Sequence, residues 1–126
     1  MAKCITSAQA PAAIGPYSQA TQAGNMLFIS GQLPIDPSSG AFPAGGAAEH
    51  ATQSIANLKA ILEQAGFGLE DVVKVTVFLK DLEDFAAVNE VYGKHFQQPY
   101  PARSTFQVAR LPKDALLEIE AIAVRA

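Results

Sequence analysis

Apolar and polar positions recur with two different periods along this chain, and the changes of period mark its elements. Val72–Leu79 sets Val73, Val75, Val77 and Leu79 against Lys74, Thr76 and Phe78, the two-residue period of a strand. Residues 116–124 repeat it, with Leu117, Ile119, Ala121 and Ala123 on one face and Glu118, Glu120 and Ile122 on the other. Ala48, Ala51, Ile55, Leu58, Leu62 and Ala65 recur at helical spacing, and Gly66 is a stop signal. A second helix carries the stripe Phe85, Val88, Tyr92 and Phe96. Asp81, with Asp84 three residues on, opens it, and Pro99 and Pro101 close it. Residues 17–22 and 26–32 predict two strands joined by the turn residues Ala23, Gly24 and Asn25, and residues 102–108 predict another. The Pro- and Gly-rich stretch from Pro34 to Gly46 is a loop.

The expected order is β-β-α-β-α-β-β. It reads as one α+β domain over residues 1–126, with two helices packed on one face of a mixed sheet. In the strand at 102–108, Ala102, Ser104, Phe106 and Val108 share one face, and Arg103, Thr105 and Gln107 share the other. The polar residues of the strands are expected to collect on the helix-free face, beside Phe28, Phe78 and Ile122. A face of that mixture is a poor solvent surface and predicts a subunit interface that holds a polar pocket.

Composition strengthens the expectation of an oligomer. The chain has 126 residues, 49% hydrophobic and 17% charged, against a usual charged fraction of about 25%. A small domain hides proportionally little of its surface, so this much apolar content calls for a partner. No apolar run approaches a membrane span, and the N-terminus lacks a signal-peptide core. The single cysteine, Cys4, fits a reducing compartment, and the cytoplasm is the expected location. A net charge of −3 disfavours nucleic acid as a partner, because phosphate binding needs a basic patch.

Few residues are placed for chemistry. His50 and His95 lack metal-ligand spacing and are expected to be solvated helix residues. Gly45 and Gly46 precede a helix and form a plain turn more readily than an anion site. Cys4 lies near a terminus expected to be flexible, with nothing nearby to lower its pKa. Arg103 follows Tyr-Pro-Ala at the mouth of a strand; its fork suits a carboxylate ligand or a cross-strand ion pair with Glu118 or Glu120. The two glutamates fit one catalytic carboxylate beside one structural charge. Tyr17 reads as an aromatic anchor, and Ser30-Gly31 as a strand-end bend open to close backbone approach.

Read together, APAAIGPYSQA (10–20), ISGQLPIDPSSG (29–40), VKVTVFLKDLEDFAAVNEVY (73–92) and PARSTFQVARLPKDALLEIEAIA (101–123) resemble the RidA, or YjgF-like, family over nearly the whole chain. The resemblance implies a chorismate-mutase-like α+β fold and a homotrimer with clefts between subunits. It implies hydrolysis of 2-iminopropanoate and 2-iminobutanoate to 2-ketoacids and ammonia, with no cofactor and no metal. On the matching motifs it implies Arg103 as the carboxylate-binding arginine and Glu118 as the water-handling glutamate. Tyr17, Ser30, Gly31 and Asn89 are implied as cleft residues. Thr105 stands where many members carry a cysteine, which removes a thiol from the cleft but leaves the arginine and glutamate in place. Two other readings share this ground: an endoribonuclease or translation inhibitor, which the acidic pI of about 5.2 opposes, and a non-enzymatic ketoacid-binding or chaperone-like trimer.

Overall fold

The computed structural model describes residues 2–126. Six strands form one mixed sheet in the order β1-β2-β3-β6-β4-β5. They are β1 (Lys3–Ile5), β2 (Ala20–Ala23), β3 (Met26–Gln32), β4 (Val72–Leu79), β5 (Ala102–Gln107) and β6 (Leu117–Val124). Only β4 and β5 pair in parallel. Helices α1 (Ala47–Gln64) and α2 (Phe85–His95) pack on one another and on one face of the sheet.

Local chemistry sets the helix ends. The Glu49 side chain accepts from the Gly46 N–H at 2.8 Å, which occupies the amide an anion would need. Beyond the end of α1, Gly66 adopts φ +81, and the Phe67 N–H donates back to the Leu62 carbonyl, a Schellman closure. Asp81 accepts from the Glu83 N–H at 2.9 Å, but it caps a 3-10 turn over Leu82–Asp84, and the α-helix starts only at Phe85. The core lies between helices and sheet, with Ile55, Leu58, Leu62, Val75, Val77, Leu117 and Ile119 fully buried.

The structure corrects the reading of the strands in four places. Lys3–Ile5, in a stretch expected to be flexible, form β1, with Cys4 opposite Thr21 at the end of the sheet. The strand expected at 17–22 begins only at Ala20, because buried Gln19 is committed to the preceding loop: it accepts from the Ser7 N–H at 2.6 Å and donates to the Pro11 carbonyl at 2.7 Å. Val73 does not share the inward face of Val75; a register shift between Val72 and Lys74 turns it outward and buries Val72 instead. Arg103 and Thr105 are not on the helix-free face. Parallel pairing sets Arg103 beside Val75 and Thr105 beside Val77, so both point to the helix side, and Ser104 and Phe106 point away.

That face still carries an uncovered apolar band. Met26, Phe28 and Phe106 are 37%, 39% and 44% exposed across β3 and β5. Phe106 packs edge-on against Phe78 at 5.4 Å.

Candidate active site

The expected site residues fall into two groups. The first surrounds Glu118. Leu117 and Ile119 enter the core, so Glu118 points to the opposite face of β6. The register of β3 against β6 shifts between Ile29 and Gln32, bringing the Ser30-Gly31 backbone beneath the carboxyl. Contact there is so close that a Cβ on Gly31 would lie 2.7 Å from Glu118 Cδ and Oε2. Ser30 donates its hydroxyl to the Ser18 carbonyl at 2.6 Å and its N–H to the Gln19 carbonyl at 2.9 Å, which ties the loop bearing Tyr17 to this strand. Tyr17, Ser30, Gly31 and Glu118, with Ile14 and Lys113, line a cavity of about 660 Å³. Burial, and secondarily the charge of Glu120, pushes the Glu118 carboxyl above its ordinary pKa.

The second group surrounds Arg103. Its guanidinium Cζ lies over the Tyr92 ring, 4.6 Å from the centroid, and 5.6 Å from that of Phe85. Asn89 is one helical turn beyond Phe85 and three residues before Tyr92, so it shares their face of α2. Thr105 follows on the same face of β5, its buried hydroxyl without a hydrogen-bond partner. The expected cross-strand pairing of Arg103 with a glutamate does not form, because Glu118 and Glu120 project from the other side of the sheet. The ion pairs among the described residues are Lys80–Asp114 and Lys94–Glu90.

Within one chain the two groups do not meet. Phe78 pairs with Phe106 on one side and Glu118 on the other. Arg103 is three residues from Phe106, about 10 Å along the strand, and faces the opposite way. A three- or four-carbon acid cannot touch both.

The remaining candidates are also relocated or defined. His50 is 7% exposed and packs against Phe42 at a ring distance of 5.7 Å, so it is a buried residue and not a solvated one. His95 is half-buried, with Nδ1 3.0 Å from the Val91 carbonyl. Cys4 is exposed, and hydrogen bonds with Ser18 and then Thr6 hold its thiol below the ordinary pKa, against the expectation of an unperturbed group. A cleft of about 630 Å³ beyond the C-terminal ends of α1 and α2 contains none of the expected site residues. Two residues of evident structural weight escaped the sequence reading. Tyr92 was visible only as part of a helical stripe, and Gln19 carried no signal beyond its place in a strand-like run.

The chain is thus an α+β domain with a carboxyl seated on one side of its sheet and, on the other, an arginine that pairs with no acid among the described residues. Residues 7–125 match the family described as Endoribonuclease L-PSP. The chain belongs to this family, the RidA group that its motifs resemble. It is 55% identical over 128 residues to the 2-iminobutanoate/2-iminopropanoate deaminase of Escherichia coli, covering 99% of each chain. It is 53% identical to the Bos taurus protein of the same name, covering 98% of this chain and 90% of that one. RidA from an Antarctic Psychrobacter superposes with a TM-score of 0.94 at 48% identity, covering 98% of this chain and 99% of that one. No helix among the described residues is long and apolar enough to cross a membrane.

Proposed function

We propose that this protein hydrolyses small 2-imino acids, such as 2-iminopropanoate and 2-iminobutanoate, to 2-ketoacids and ammonia. Glu118 carries the reading: a half-buried carboxyl of raised pKa, resting on the Gly31 backbone in an open cavity. The near full-length likeness to proteins named for this deamination supports it.

The chemistry follows from the residues. Arg103 receives the substrate carboxylate through two parallel N–H bonds, which fixes the plane of the adjacent C=N carbon. The Thr105 hydroxyl, unpartnered in the free protein, supplies a further donor or acceptor there. Glu118 orients a water and takes its proton as the oxygen bonds to carbon and the C=N π electrons move to nitrogen. The same carboxyl returns that proton to the nitrogen. Loss of ammonia from the resulting carbinolamine leaves the ketoacid. Asn89 closes the arginine side of the cleft, and Tyr17 the glutamate side.

The two groups act together when a second copy sets its Arg103 edge against the Glu118 cavity. A homotrimer, with the helix-free faces turned inward, builds three such clefts and covers the apolar band of Met26, Phe28 and Phe106. The test is an assay in which a serine or threonine dehydratase releases the enamine and ketoacid formation is followed. The native protein accelerates it. Arg103→Ala abolishes the effect, and Arg103→Lys is badly impaired, because a point charge replaces a two-pronged contact. Glu118→Gln retains pyruvate binding and loses turnover. Native-like turnover in the Glu118→Gln variant contradicts the reading.

A further inference from the structure

A guanidinium that must receive a ligand carboxylate faces a conflict. It needs a fixed orientation, but the usual means of fixing it, an acidic counter-ion, occupies the donors the ligand requires. Arg103 is half-buried at the sheet edge, yet no ion pair among the described residues holds it. What it has is the face of Tyr92, with its Cζ 4.6 Å from the ring centroid. We propose that Tyr92 is the positioning residue for Arg103, its ring holding the guanidinium in the orientation that receives the substrate carboxylate and doing so in place of a counter-ion. This rests on the reading of Arg103 as the carboxylate-binding group.

The platform is built to be rigid. Tyr92 is 5% exposed, and its ring stacks at 4.4 Å on Phe96, which is 1% exposed. The arginine is thus braced through two aromatic layers against the core. Phe85 flanks the cation at 5.6 Å from the outer side. A ring attracts the cation through its π face and consumes none of the five N–H donors. Burial raises the Tyr92 phenol to about 12, against the opposing pull of Arg103, so it stays neutral and never becomes a rival anion. Its hydroxyl has no hydrogen-bond partner, so the ring and not the oxygen performs the task.

The experiment compares three variants of the full chain. Tyr92→Phe keeps the platform and removes an unpaired buried oxygen; its KM for the imine and its Kd for pyruvate are expected to match the native protein. Tyr92→Leu keeps an apolar side chain and removes the π face; both constants are expected to rise about tenfold with kcat little changed, the signature of lost uniform binding. Phe96→Leu removes the second aromatic layer but keeps the Tyr92 face on the guanidinium, and is expected to raise KM by clearly less than Tyr92→Leu does. A second readout needs no activity and no variant that folds poorly. The Arg103 Nε–Hε proton NMR signal, assigned by its loss in Arg103→Lys, is expected upfield of that of exposed Arg110 through the ring current of Tyr92. The displacement persists in Tyr92→Phe and falls to the smaller contribution of Phe85 in Tyr92→Leu. An unshifted Arg103 signal in the native protein overturns the proposal. So does a folded Tyr92→Leu variant with native KM, or a Phe96→Leu variant whose KM rises as far. If the protein lacked imine hydrolysis, the assay would be flat for all variants while the NMR signal still decided the platform.

Discussion

At the scale of single residues, Gly31 and Glu118 form one device. The missing Cβ of Gly31 is the space the carboxyl occupies, and the atoms a methyl would strike belong to the flexible end of a side chain rather than to backbone. Gly31→Ala is therefore expected to cost little stability, because Glu118 can swing aside. Turnover should suffer far more, since a misplacement of about 1 Å can cost on the order of a hundredfold. Thermal melts beside the deamination assay check this, and equal losses in both would make the contact merely structural. The raised pKa of Glu118 gives a second expectation. A base must be ionised, so the rate at low substrate should fall on acidification at a pH above the ordinary glutamate value of about 4.3. The same shift acts on folding with a defined sign. Below the unfolded-state pKa both states are protonated and nothing is lost; as pH rises through the higher native value, the buried carboxylate progressively destabilises the fold. Glu118→Gln is expected to melt above the native protein at about pH 7 and together with it at about pH 3. A melting-point difference that grows on acidification would refute the shift.

At the scale of elements, what the sequence declared depended on whether local chemistry or pairing made the decision. Helix α1 and β6, and β4 from Val75 onward, were legible because an apolar period, with a glycine stop after α1, specifies them without reference to neighbours. The inward faces of Leu117 and Ile119 followed from the same period. The side to which Arg103 points was not legible: β5 is exposed along most of its length, so no apolar stripe marks its inner face, and the parallel register with β4 alone sets it. Strand β1 was missed because three residues carry no period. The motifs therefore supplied the candidate residues, and their division between two faces came only from the folded chain. Gln19 is the further case, since its value lies in hydrogen bonds to Ser7 and Pro11 that only the folded loop provides. Gln19→Ala leaves those groups unpaired in a buried setting and is expected to destabilise the protein by about 2–3 kcal/mol. It should also raise KM, because the loop it staples carries Tyr17. Urea titration and steady-state kinetics measure the two effects, and an unchanged midpoint would show that the staple carries no energy.

At the scale of the whole molecule, the proposed function makes catalysis a property of the assembly, because the candidate residues divide between two surfaces. Glu118 with Tyr17, Ser30 and Gly31 on one side, and Arg103 with Asn89 and Thr105 on the other, are two incomplete surfaces of one chain. On the proposed reading each is completed by the complementary surface of a neighbour, and light scattering is expected to report about three times the 13.3 kDa of one chain. Mixed assemblies of two inactive variants test this claim most directly. Arg103→Ala and Glu118→Gln proteins are unfolded together at equal concentration, refolded, and assayed for ketoacid release. If each site joins the arginine of one copy to the glutamate of the next, random assortment places both native residues in roughly a quarter of the sites, and that share of native activity returns. If each chain carries its whole site, the refolded mixture of trimers remains as inactive as either variant alone, and the account of a shared cleft is wrong.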